Sequence, residues 1–107
     1  MSRKEVSFSR CIIPPKSTSL AGMHPELKEI WICRSGECEL WRKEKEQGKE
    51  YTIKVLPGDD FILTPETHFQ LRNQSSEDVD FIIATLPRWP DDNAWQRVKD
   101  YWPTENK

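Results

Sequence analysis

Short apolar runs separated by turn residues recur along the first 85 positions, and in most of them side-chain type alternates with a period of two. The runs fall at 6–8, 10–13, 17–20, 29–34, 37–42, 51–55, 60–63, 69–73 and 79–85. Many short strands with no alternating helices predict an all-β sandwich or barrel. In Tyr51-Thr52-Ile53-Lys54-Val55 every second residue is apolar, which predicts a half-buried strand with one face inward and the other in water. If Glu29 faces the interior, so do Trp31 and Cys33. If Phe69 does, so do Leu71 and Asn73, while His68, Gln70 and Arg72 face out.

Punctuation between the runs fits this reading. Leu56-Pro57-Gly58-Asp59 has Pro and Gly where a type II turn requires them. The mixed-charge stretch from Arg42 to Glu50 predicts a solvated hairpin tip, and Asn73 to Asp78 a second polar turn. The texture changes at Pro87-Arg88-Trp89-Pro90. Beyond it Asp91 or Asp92 can cap a helix starting near Asn93, with Ala94, Trp95, Val98, Tyr101 and Trp102 on one stripe and Pro103 as its stop. The expected layout is a single domain over 1–107, a barrel over about 6–86 and a Trp-rich helical segment over about 87–103 that covers one side of it.

Composition narrows the function classes. Sixteen basic and eighteen acidic residues leave a net charge of −2, so neither a nucleic-acid footprint nor a polybasic membrane face is expected. No apolar run reads as a signal peptide or membrane span, and the expected location is the cytoplasm. Cys11, Cys33 and Cys38 lack a second pair at zinc spacing and are read as reduced packing residues; Cys33 and Cys38 flank a turn and are expected to face one another across a hairpin. The apolar 6–13 run predicts a homodimer that shields an edge strand.

Two segments carry a further pattern. In the first, Gly22 and His24 precede Glu29, which is followed after six residues by Gly36; in the second, Gly58 leads through Thr64, Glu66, His68 and Phe69 to Asn73. These spacings resemble the two motifs of the cupin superfamily, small double-stranded β-helix (jelly-roll) barrels. The Glu29-Ile30-Trp31 and Phe69-Gln70-Leu71-Arg72-Asn73 strings and the exit from Leu86 to Pro90 are also similar to a group of small single-domain cupins. The resemblance implies a jelly-roll barrel over about 17–85. It places His24 and Glu29 on two metal-ligand positions, Gly22 and Phe69 on the other two, Thr64 on the proline and Glu66 on the glycine of the second motif. His68 falls one position before the ligand site.

Glycine and phenylalanine offer no lone pair, so no cofactor is expected and the site reads as a metal-poor pocket for a small organic ligand. His24 and Glu29 are the candidate catalytic pair, with Trp31 and Phe69 as ligand-binding walls that desolvate the carboxylate. The expected function is a small-molecule-binding cupin acting as a metal-independent isomerase, cyclase or lyase. The alternative is a metal-dependent dioxygenase, isomerase or lyase holding Fe, Mn, Ni or Zn on His24, Glu29 and His68, which requires a bulge at Thr67 or His68. A non-catalytic sensor or interaction module is the third class.

Overall fold

Two antiparallel sheets face each other across the apolar positions that the alternation marked out. The computed structural model describes residues 6–46, 48–86 and 95–104. Its strands are β1 (Ser7–Ile13), β2 (Ser17–Thr18), β3 (Gly22–Met23), β4 (Lys28–Ser35), β5 (Cys38–Lys43), β6 (Glu50–Val55), β7 (Asp60–Leu63), β8 (His68–Asn73), β9 (Val79–Leu86) and β10 (Gln96–Arg97). One sheet has the order β1-β9-β4-β7; the other runs β10-β3-β8-β5-β6, with β2 also paired to β8. Except between β2 and β3 and between β5 and β6, each successive strand switches sheets, which is the winding of a double-stranded β-helix.

The interior rows are those that period two assigns. Trp31, Cys33, Phe61, Leu63, Phe81 and Ile83 come from the first sheet and Cys38, Leu40, Val55, Phe69 and Leu71 from the second, all in one buried cluster. Trp31 organises its aromatic part, with its ring 5.5 Å from Phe61, 6.1 Å from Phe69 and 5.0 Å from Phe81. Large rings from both sheets meeting edge-on and offset give dense packing in a barrel this small.

The turns explain several motif residues. The Leu56 carbonyl accepts from the Asp59 amide at 2.9 Å with Gly58 at φ 90°, the predicted type II geometry. Thr64 to Thr67 repeats it: the Thr67 amide donates to the Thr64 carbonyl at 3.1 Å, and Glu66 takes φ 67° where the family motif has glycine. A non-glycine residue there costs about 1 kcal/mol, offset by the Glu66 amide donating to the His24 carbonyl at 2.7 Å and by the Lys45–Glu66 ion pair at 2.6 Å. Asn73 is fully buried; its amide nitrogen donates to the carbonyls of Ile13, Pro14 and Glu77, and its oxygen accepts from Ser75. This one side chain ties three segments together.

Four expectations need correction. No helix occurs among the described residues: Gln96–Arg97 is a strand paired with β3, and the part of the expected helix at 93–94 lies outside the described residues. The 3.6-residue spacing of Trp95, Val98 and Trp102 is met instead by an extended segment crossing the second sheet. The 34–37 turn does not close a hairpin but carries the chain from one sheet to the other, and Cys33 and Cys38 are buried as free thiols. Strand β6 is an edge strand, so Tyr51 and Ile53, although on the interior side with Arg42 and Leu40, remain 38% and 39% exposed. Finally, the runs at 6–8 and 10–13 join in one continuous strand, Ser7–Ile13, which pairs with β9 and forms an edge of the first sheet.

Candidate functional site

His24, Glu29, Trp31 and Phe69 all line one cavity of about 340 Å³ at an end of the barrel, with Cys11, Ile13, Ser19, Leu20, Leu71 and Trp95 completing its wall. Each arrives by a simple route. Glu29 and Trp31 are alternate residues of β4, facing inward opposite Leu63 and Phe61 of β7. Phe69 of β8 lies directly opposite Gly22 of β3, and His24 follows that glycine by two residues. The His24 backbone is fixed by the Glu66 amide.

His24 and Glu29 are each only 4% exposed, and His24 Nε2 stands 3.4 Å from Glu29 Oε2. The other carboxylate oxygen accepts from Trp31 Nε1 at 2.8 Å. The imidazole stacks on Phe69 with ring centres 5.5 Å apart. Burial disfavours both charged forms: it pushes His24 down to about 4 and raises Glu29, against the opposing hydrogen bonds from Trp31 and Thr85. With His24 held near 4, the contact at neutral pH sets a neutral imidazole beside Glu29 rather than pairing two full charges.

The Gly22 position is not a vacancy. A Cβ added to Gly22 would fall inside the indole of Trp95, which the C-terminal segment brings over the barrel edge through β10. The volume that a side chain at 22 would need belongs to a tryptophan 73 residues downstream. No sequence motif links the two positions, and Trp95 was legible only as an amphipathic-stripe residue. Cys11 was also read as packing alone; it reaches the cavity because it shares the inward face of β1 with Ile13, and burial together with Glu29 raises its thiol.

His68 lies elsewhere. The β5–β8 register runs without interruption from Glu39↔Arg72 to Lys43↔His68, so no bulge turns its imidazole inward. It lines a surface groove with Met23, Lys43, Lys45 and Glu66. Of the alternative metal set His24, Glu29 and His68, the barrel brings together only the first two. Among the described residues no group of three or more His, Cys, Asp or Glu side chains stands in metal-binding proximity. Two donors walled by Phe69 and Trp95 do not fit a tightly held transition metal.

No model of a known protein family matches the chain, and no curated protein does. Solved structures do. Peruvianin-I, a cysteine peptidase from Thevetia peruviana latex, is 18% identical with a TM-score of 0.75 over 88% of this chain and 56% of its own. A protein with a double-stranded β-helix domain from Klebsiella pneumoniae is 18% identical with a TM-score of 0.73 over 91% of this chain and 77% of its own. Lactobacillus farciminis oxalate decarboxylase is 14% identical with a TM-score of 0.77 over 89% of this chain and 27% of its own. An oxalate oxidase is 20% identical with a TM-score of 0.72, over 78% and 42% respectively. The chain thus spans about half of Peruvianin-I or less of these oxalate enzymes. It has the cupin-type double-stranded β-helix fold.

Proposed function

We propose that the protein binds a small, partly apolar organic ligand in the cavity between Trp31, Phe69 and Trp95, and that His24 and Glu29 shuttle a proton on it without a metal, as a metal-independent isomerase, cyclase or lyase would. The observation that carries this reading is a buried carboxylate–imidazole pair at the base of an otherwise apolar cavity of about 340 Å³. Cavities of about 300–1,000 Å³ with few convergent polar groups are the usual form of ligand sites. A carboxylate raised by burial beside an imidazole held neutral forms an acid/base couple suited to moving a proton between two atoms of a bound molecule. Oxalate, named for two of the similar structures, is a small dianion and is not the ligand proposed, because among the described residues no Lys or Arg lines this cavity.

A thermal-shift screen of small uncharged and charged aromatics tests the reading. Hits should raise the melting temperature and move the Trp31 and Trp95 indole N–H resonances. Glu29→Gln should retain binding and lose any turnover. Stoichiometric metal in the purified protein that disappears in His68→Ala would favour the metalloenzyme reading instead.

The partner proposed is a second copy of the chain. On the outer face of the first sheet the register sets Phe8, Ala84, Ile30 and Ile62 in one apolar row across all four strands, and Arg10, Ile82, Ile32 and Asp60 in the next. A two-fold axis along the strands between β9 and β4 would lay Phe8 over the second copy's Ile62 and Arg10 over its Asp60, matching apolar to apolar and opposite charge to opposite charge. Light scattering should give a dimer mass at micromolar concentration, and Ile30→Glu a monomer.

A further inference from the structure

The cavity's lining is unevenly provided with charge. Among the described residues its ionisable lining is Glu29, His24 and Cys11, and none of these brings a positive charge at neutral pH. The nearest cation on the interior side of the second sheet is Arg42, opposite Phe69 on the β5–β8 pair. Arg42 is not among the lining residues; its guanidinium lies 6.0 Å from the Tyr51 ring and 3.9 Å from Glu44. An anionic ligand entering this cavity would meet a buried carboxylate and aromatic rings with nothing to balance it.

The opposite sign is well provided for. Trp31, Phe69 and Trp95 line the cavity with aromatic rings, and aromatic rings, indole most strongly, attract a cation over an open face. Glu29 offers about four acceptor positions; Trp31 donates to one of its oxygens and His24 stands 3.4 Å from the other. The carboxylate thus retains capacity for a donor from a bound molecule. The neutral imidazole of His24, stacked flat on Phe69, does not repel a cation.

Resting on the ligand-pocket reading above, we infer that the site selects an organic ammonium, a small amine with an apolar or aromatic body, whose charged nitrogen sits against Glu29 and whose body lies among Trp31, Phe69 and Trp95. Trp95 then has a specificity role. By filling the space beside Gly22 it replaces a position for a nitrogen ligand with an aromatic wall.

Three probes of similar size and shape test this on the wild-type protein: benzylammonium, benzyl alcohol and phenylacetate, with dissociation constants read by titrating the Trp31 and Trp95 indole resonances. Benzylammonium should bind about tenfold or more tightly than phenylacetate, with benzyl alcohol between. Glu29→Gln should remove most of the gap between benzylammonium and benzyl alcohol while leaving benzyl alcohol within about twofold of its wild-type value. Phenylacetate binding as tightly as benzylammonium would overturn the charge preference and leave the pocket reading standing. Failure of all three to bind would overturn both. The ranking on the wild-type protein decides the matter even if Glu29→Gln does not fold.

Discussion

Strand β8 shows two ways of using one alternating sequence. Its inward residues Phe69, Leu71 and Asn73 face the core and the cavity, and their environment is apolar except for the Asn73 amide that anchors the turns. Of its outward residues, His68 lines a surface groove, while Gln70 and Arg72 contact the C-terminal segment. Gln70 is fully buried there: its amide nitrogen donates to the carbonyls of Ser19 and Trp102, and its oxygen accepts from the Tyr101 and Trp102 amides. Arg72 sits 4.3 Å over the Trp102 ring, and Trp41 stacks on Tyr101 at 5.2 Å. The inner face is built from side chains excluding water. On the outer face one glutamine supplies the hydrogen bonds that hold the segment beyond its β10 pairing and the Val98–Ala21 backbone bond, beside a small apolar cluster of Ala21, Trp41, Val98 and Trp102.

That difference yields the largest expected effect. Gln70→Leu preserves volume but leaves two backbone amides and two carbonyls without their partner, and a buried unpaired group costs about 1–3 kcal/mol. Destabilisation of roughly 3–5 kcal/mol is expected in urea unfolding. Leu71→Val on the inner face, by contrast, removes one methylene and should cost about 1 kcal/mol. Equal costs would mean that the outer contact is dispensable and the contrast between the faces false.

The inner site has its own signature in pH. His24 is held near 4 against an ordinary 6.5 because burial opposes its charge, so the folded protein binds fewer protons at this site than the unfolded chain does. Its penalty is absent well above pH 6.5, grows as pH falls from there, and is complete near 4. At 1.36 kcal/mol per pKa unit it reaches on the order of 3 kcal/mol. Glu29, raised by burial, works in the opposite sense, its contribution present below the ordinary carboxylate range and lost as pH rises through its raised value. Melting temperature should therefore fall between pH 6.5 and 5, and His24→Gln should flatten most of that slope. His68 is also lowered, by burial and by Lys43, but lies in a surface groove; His68→Ala should remove only a small part. The reverse ranking would place the sensitive imidazole outside the barrel.

Legibility followed the same division. The strands, the type II turn at Gly58, the inward set Glu29, Trp31, Phe69 and Leu71, and the outward setting of His68 all follow from period two and local turn chemistry, which depend on neighbours within a few residues. Even the non-glycine Glu66 at φ 67° kept the backbone that the motif spacing implied. The C-terminal segment was misread because a helical stripe is only a spacing. Trp95, Val98 and Trp102 meet it by coincidence, while the determinant of the extended path is Gln70, some thirty residues away, whose buried amide bonds nothing in the local sequence announces. The exposed Tyr51 and Ile53 mark the same limit: alternation tells which side a residue faces, not whether the opposite sheet extends far enough to cover it.

Gly22 and Trp95 are where the two regions meet, and they give the smallest but most specific test. Because the indole occupies the place of a side chain at 22, Gly22→Ala must displace Trp95 or the β3–β10 pairing, at about 1–3 kcal/mol as for other overpacked sites. Trp95→Ala removes the obstacle, so adding Gly22→Ala to it should cost a few tenths of a kcal/mol at most. The interaction between the two substitutions is the reading, since two residues acting independently would give additive costs. Additivity would show that Trp95 does not fill the site in solution, and with it would fall the aromatic wall on which the ligand preference depends. Coupling close to the full Gly22→Ala cost would instead show that the C-terminal segment is held across the barrel edge with its tryptophan in the pocket before any ligand arrives.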